Sequence, residues 1–502
     1  MRVDLAKFKL LYEALFEIDY TGAVPDICVP LNVASIRAAT AKGAPFLPMV
    51  YQQNYAEPLE AKLAGIVSKL DQQVQSGEHP PAYRAQVLEA LYGAIYQHGH
   101  NVTKVEARPQ LKRFLAVVSN LYRSFIDASK RTNAGVTLVE STPPLALFQS
   151  ISSGPFTIES DLMKQKVGVS IGVVSLPATY RDHPVIWAGL AHEVGGHDVV
   201  HADAGLLEEM VKKVQARLSP LAAPGAQTTA ALNALIWSYW MDEAAADVYG
   251  ILNMGPSFAL NLAGFLSAYR ARLRGQTHAG DPFVGIDAEV QPGDIMDDHP
   301  IDLLRLYVAI GAVEGLKGLS ASKRNDYVAS IEAVAKLVSI GVTEVGLHGS
   351  IKGAAKGPDT NMKLSDAVEA ARKVGKMLAT EKFAALNNHC IQDIETWDDS
   401  DEVAAQDVCA RVLAGNSIVR TGDDAQLLAG VTLALLQKPE LYDAATKLLN
   451  AALDDSFDQD PIWGSTLRGH AMMGGRVSAL ATAGKAAKVK AGKVAAKKAK
   501  KR

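Results

Sequence analysis

Three histidines and two carboxylates, His192, Glu193, His197, Asp198 and His201, fall within ten residues of a 502-residue chain that holds only 12 histidines. Imidazole nitrogens and carboxylate oxygens at this density are the donor set of a borderline-soft divalent metal such as zinc. A second acidic group follows about fifty residues later, where Glu243 and Asp247 stand four apart and share a helix face. Catalytic zinc commonly takes three protein ligands and keeps one position open, and two histidines with one glutamate is a standard set. His192, His197 and Glu243 supply it. Asp247, one turn beyond Glu243, can accept the free ring N–H of a ligand histidine, the outer bond that fixes tautomer and orientation. The competing reading, a solvated acidic face, sits badly with Trp237, Trp240, Ala244, Ala245, Ala246, Val248 and Ile251 around it.

The spacing of the histidines constrains the helix that carries them. The pattern H-E-x-x-H places two ligands at i and i+4 on one face, with the glutamate acting on a zinc-activated water. Here the second histidine comes at i+5, roughly 140° around a regular α-helix from the first. A single wide π-type turn would bring them back together, and Gly195-Gly196 eases that deformation. His197 and His201 form a competing i, i+4 pair that would need no wide turn and would leave His192 outside the ligand set. Upstream, Asp182-His183-Pro184 before the apolar run from Val185 to Leu190 predicts the start of the helix that presents the cluster.

His192, Glu193, Gly196 and His197 match the H-E-x-x-G-H motif of dipeptidyl peptidase III, and Glu243 with Asp247 resembles the glutamate helix of the gluzincin metallopeptidases. The resemblance covers mainly residues 165 to 310, and the terminal regions do not share it. It implies zinc held by His192, His197 and Glu243, with Glu193 as general base. It also implies a sheet before the histidine helix whose edge can pair with extended peptide. His299-Pro300 followed by Arg305 on the next helix is similar to groups that approach the active site in several gluzincins, so His299 or Arg305 would stabilise a tetrahedral oxyanion. An arginine paired with Asp297 or Asp302 is the plainer alternative.

Composition sets the class: 48% hydrophobic and 21% charged residues suit a globular protein with real cores. No uninterrupted apolar run reaches membrane-spanning length and the first residues lack a signal-peptide pattern, so a soluble, cytoplasmic protein without a membrane partner is expected. Cys28, Cys390 and Cys409 are scattered and odd in number, which fits reduced thiols. The net charge of -3 hides an asymmetry: Lys485 to Arg502 holds nine basic residues and no acid, leaving -12 on the remainder. That lysine-rich tail could bind nucleic acid or another polyanion, or simply solubilise the chain.

Along the chain, apolar spacing of three and four predicts helices over 5–18, 57–75, 82–96 and 110–128, with His98 and His100 in an exposed loop. Short β-rich runs follow at 135–140, 144–152, 156–160 and 167–176. Helices are then expected over 258–273, from Asp298-His299-Pro300 onward, and over 326–340, 363–379, 401–413, 424–437 and 440–453. The expected fold is α+β and mainly α-helical: a helical region 1–134, a gluzincin-like catalytic core with a small β-sheet over 135–310, an all-helical region 311–470 and a basic disordered tail 471–502. The function read from it is zinc-dependent hydrolysis of peptide bonds in a peptide or protein substrate. A catalytically inactive gluzincin-fold scaffold or polyanion-binding protein is the alternative.

Overall fold

The computed structural model describes residues 2–18, 47–77, 81–103, 108–126, 142–149, 155–219, 228–273, 296–349, 351, 360–419 and 423–464, with isolated positions between 34 and 41. The predicted strand at 135–140, His100, Cys28 and the basic tail lie outside the residues, or the side chains, so described. The chain is mainly helical with a small sheet, as its apolar spacing predicts. No helix among the described residues is long and apolar enough to cross a membrane.

Three strands form the sheet nearest the histidines, in the order β1 (Leu145–Gln149), β3 (Val173–Pro177), β2 (Phe156–Ile158). β1 runs parallel to β3, with Leu145 opposite Val173, and β2 runs antiparallel to it, with Phe156 opposite Ser175. The valine-rich β3 is buried along its whole length because it is the central strand. The edge next to the histidine helix therefore belongs to β2. The residues before β3 are not all strand: Ser160–Val167 is a helix, ended by Gly168 in the left-handed region.

From β3 the chain turns through Ala178–Tyr180 into a helical run over 184–202. Pro184 occupies its first turn, where a missing N–H costs nothing. Asp182 does not cap it; its carboxylate instead meets Arg181 and Gln110. Trp187 Nε1 donates to Tyr180 O at 2.9 Å, and Asn261 Nδ2 donates to Val185 O at 3.0 Å, which fixes the run against the turn Ala178–Tyr180 and against the helix Ser257–Leu273.

One hydrophobic core runs from Phe8 to Trp463 and takes in residues from the N-terminal, central and C-terminal stretches. Arg113 forks onto Asp454 at 2.7 Å, and Trp463 packs on Tyr51 and on His98. His98 is thus buried in the helix Pro81–Thr103 and does not sit in an exposed loop, because Gly99 did not break the helix. The C-terminal stretch is not all helix either: Glu344–Leu347 and Thr360–Lys363 form an antiparallel ladder. The helix predicted from Asp298 starts four residues later, as Asp302–Gly315, and is buried on nearly every side between the glutamate helix Met241–Met254 and the helix Leu364–Thr380.

Candidate metal centre

The wide turn predicted by the i+5 spacing is present: Glu193–Asp198 is π-helical, between regular turns at Gly189–His192 and Val199–Ala202. Its close packing explains the glycines better than flexibility does. A Cβ on Gly196 would lie 2.4 Å from both Cα and Cβ of Ala246, so the turn rests directly on the backbone of the glutamate helix. Three residues before Ala246 on that helix stands Glu243.

The turn brings His192 Nε2 and His197 Nε2 to 3.2 Å, with the ring planes at 90°. Glu243 faces both, its Oε2 3.1 Å from His192 Nε2 and its Oε1 3.3 Å from His197 Nε2. All three side chains are buried. Behind them, His192 Nδ1 lies 3.0 Å from Asp247 Oδ1 and His197 Nδ1 lies 3.3 Å from Asp242 Oδ1. A carboxylate only accepts, so each Nδ1 carries a proton and each ring directs its Nε2 inward, where a neutral ring offers a lone pair. Arg305 Nη2 is 3.3 Å from the same His192 Nδ1, but its closer partner is Asp247 at 2.8 Å.

With both rings neutral, three acceptors converge, and among the described residues Glu243 Oε2 is buried without a hydrogen-bond donor. That arrangement is repulsive unless a cation or protons occupy it. Ligand atoms about 2.0–2.2 Å from a tetrahedral ion stand about 3.3–3.6 Å apart, close to the observed spacings, so these residues can hold a metal ion of the size and preference of zinc. With no metal, the cluster stores protons. Burial alone would depress the His197 imidazole, but the Glu243 and Asp242 carboxylates outweigh it and hold its pKa well above the ordinary value. His192 is raised likewise, by Asp247 and Glu243 against burial. Burial would raise Glu243, yet the charges of His299 and His197 hold it well below the carboxylate range.

Asp247 is doubly engaged. Besides His192 it accepts a two-pronged fork from Arg305, Nε to Oδ2 at 2.9 Å and Nη2 to Oδ1 at 2.8 Å, in a buried setting. Burial would raise its pKa, and the guanidinium lowers it. Arg305 thus clamps the carboxylate that orients a ligand, and its pairing is with Asp247, not with Asp297 or Asp302. Asp302 pairs with Arg270 at 3.0 Å. His299 stands on the opposite, half-exposed side, Nδ1 2.8 Å from Asp297 Oδ1 and Nε2 3.4 Å from Glu243 Oε1. The Glu243 charge, with Asp297, pushes its pKa up to about 9 against the effect of burial.

His201 lies apart from the three converging atoms. Its Nδ1 is 3.3 Å from Asp161 Oδ2 and its Nε2 3.2 Å from Asp242 Oδ2, so both nitrogens face carboxylates and the ring is an imidazolium. Burial would lower its pKa, but those two partners raise it to about 10. Asp242 bridges the two rings and is held well below the ordinary range by His197 and His201 despite its burial. The i, i+4 spacing that singles out Asp247 points one turn after Glu243, whereas the partner of His197 stands immediately before it, at a position no spacing in the sequence marks. Glu159, with Asp242 and the Nδ1 side of His197, completes a more open carboxylate group.

Glu193 takes no part in the ligand triangle. Thr157 on β2 directs its hydroxyl at Glu193, 2.8 Å from Oε2 and 2.9 Å from the backbone carbonyl, where one proton serves two acceptors. Nothing in the sequence around Thr157 marks it for this role. His192 and Glu193 open onto a cavity of ≈ 240 Å³, whose polar side also includes Arg270, Asp297, His299 and Arg305. Comparison of the chain with known protein families, curated proteins and solved structures gives no match.

Proposed function

We propose that this chain is a zinc-dependent hydrolase acting on peptide bonds, with His192, His197 and Glu243 as the metal ligands. The observation that carries the reading is the convergence of His192 Nε2, His197 Nε2 and the Glu243 carboxylate at 3.1–3.3 Å, each ring held from behind by its own aspartate. Asp247 and Asp242 fix which nitrogen each ring offers, and Arg305 holds Asp247 in place. Zinc, when bound there, supplies Lewis acidity that polarises a carbonyl and lowers the pKa of water.

Glu193, adjacent to His192 but outside the ligand set, takes the proton of the attacking water and passes it to the departing amine. Thr157 keeps the Glu193 carboxylate oriented by donating to Oε2. His299, half-exposed at the mouth with its Nδ1 on Asp297, is the group placed to donate from Nε2 to charge developing on the substrate oxygen. The experiment is hydrolysis of a peptide library by the zinc-loaded protein. The reading expects cleavage that Glu193→Gln reduces at least about 10²- to 10⁴-fold while zinc content is unchanged. Equal cleavage by the variant would remove Glu193 from the chemistry.

A further inference from the structure

The cavity beside His192 and Glu193 has a second side that the chemistry does not use. Leu262, Phe265, Leu266 and Tyr269, at i, i+3, i+4 and i+7, present one continuous stripe of the helix Ser257–Leu273 to it. Phe265 and Tyr269 stack with ring centroids 5.6 Å apart and planes at 13°, and Tyr180 meets Phe265 edge-on at 5.7 Å. Phe265 and Tyr269 are only partly buried, so apolar ring surface is left facing the space. Arg270, at the end of the stripe, has its guanidinium on Asp302.

Gly189 lines the same cavity, one turn before His192. It has ordinary helical geometry, φ -54 and ψ -25, and a Cβ built on it would meet nothing within 4 Å among the described residues. Neither backbone strain nor a close neighbour among the described residues calls for glycine, which weakens a helix relative to alanine. What the missing side chain leaves is room beside the reacting groups.

We propose that this cavity is the specificity pocket of the hydrolytic site, that it receives one bulky apolar or aromatic side chain of the peptide next to the scissile bond, and that Gly189 sets its depth. The inference rests on the hydrolytic reading above. The size agrees: ≈ 240 Å³ falls below the roughly 300–1,000 Å³ of sites for drug-sized ligands, which suits one side chain and its flanking backbone. A charged side chain laid along the stripe would give up its water against apolar ring surface.

The test uses peptides identical except for Gly, Ala, Leu, Phe or Lys at one position. Binding is measured to zinc-loaded Glu193→Gln, with and without Gly189→Leu, and kcat/KM is measured on the parent and on Gly189→Leu. Leu and Phe peptides should bind about 10- to 100-fold more tightly than the Gly peptide, the scale of burying one such side chain. Gly189→Leu should abolish that preference, bringing the Leu and Phe peptides down to the level of the Gly peptide measured on the same variant. Gly189→Ala, which should fold at least as stably as the parent, should show a partial loss. An unchanged Leu and Phe preference in Gly189→Leu, or a preference for Lys, would overturn the pocket. If the binding preference and its loss are seen but no peptide is cleaved, the pocket stands and the hydrolytic reading falls. Glu193-dependent cleavage without side-chain preference has the opposite meaning.

Discussion

Gly196→Ala tests how the metal centre is held together. The added Cβ would sit 2.4 Å from Cα and Cβ of Ala246, whereas carbon atoms pack at about 3.5–4.0 Å. The π-turn and the glutamate helix must therefore separate by roughly 1–1.5 Å at that point. Overpacking a tight core costs about 1–3 kcal/mol, and here the neighbours are backbone atoms that cannot rotate away. Glu243 lies less than one turn from Ala246, so the separation also moves a carboxylate that now sits 3.1–3.3 Å from both imidazoles. Zinc affinity should fall by 10-fold or more, about the loss that follows when a ligand's orientation is disturbed. Gly195→Ala is the internal comparison, because its Cβ would meet the movable amide of Asn253 at 3.0 Å and the loss should be smaller. Urea denaturation of the zinc-free proteins and competition with a chromogenic chelator read the two effects separately. Gly196→Ala with parental stability and parental zinc affinity would refute the claim that this contact sets the site.

Asp247→Asn should do more than loosen zinc by about 10- to 100-fold: it strips the buried Arg305 of its counter-charge, so zinc-free stability should drop by about 3–5 kcal/mol, and adding Arg305→Met should recover stability but not affinity. Thr157→Val should keep zinc and lower kcat/KM by about 10-fold or more, since a hydrogen bond to a charged group contributes about 1.5–3 kcal/mol; an unchanged rate would show that the hydroxyl does not orient Glu193. His201, whose pKa rises from 6.5 to about 10 on folding, stabilises the protein fully below pH 6.5 and progressively less as pH climbs to 10. The stability gap between the parent and His201→Gln, measured by denaturation at several pH values, should therefore shrink over that window and not widen.

Much of the site was legible because its chemistry is local to two helices. The i+5 spacing demanded a wide turn, and Glu193–Asp198 forms one. The necessity of Gly196 was not legible, since it depends on Ala246 fifty residues away. Asp242 was hidden by a preference for i, i+4 pairs, although neighbouring helix positions also reach one site when two rings wrap around it. Arg305, which the sequence offers as an oxyanion stabiliser or as the partner of Asp297 or Asp302, lines the cavity while forking onto Asp247, a long-range pairing that no spacing rule encodes. The ladder Glu344–Leu347 with Thr360–Lys363 escaped because each strand has four residues, too few to show a period of two. The glycine beside His98 reads as a loop, whereas burial against Trp463 keeps the helix intact.

The most direct measurement is anomalous diffraction at the zinc edge from crystals of the zinc-loaded protein. One peak is expected per chain, about 2.0–2.2 Å from His192 Nε2, His197 Nε2 and a Glu243 oxygen, absent in His192→Ala, His197→Ala and Glu243→Ala crystals. A peak held by His197 and His201 without His192, or no peak at saturating zinc, would contradict the account.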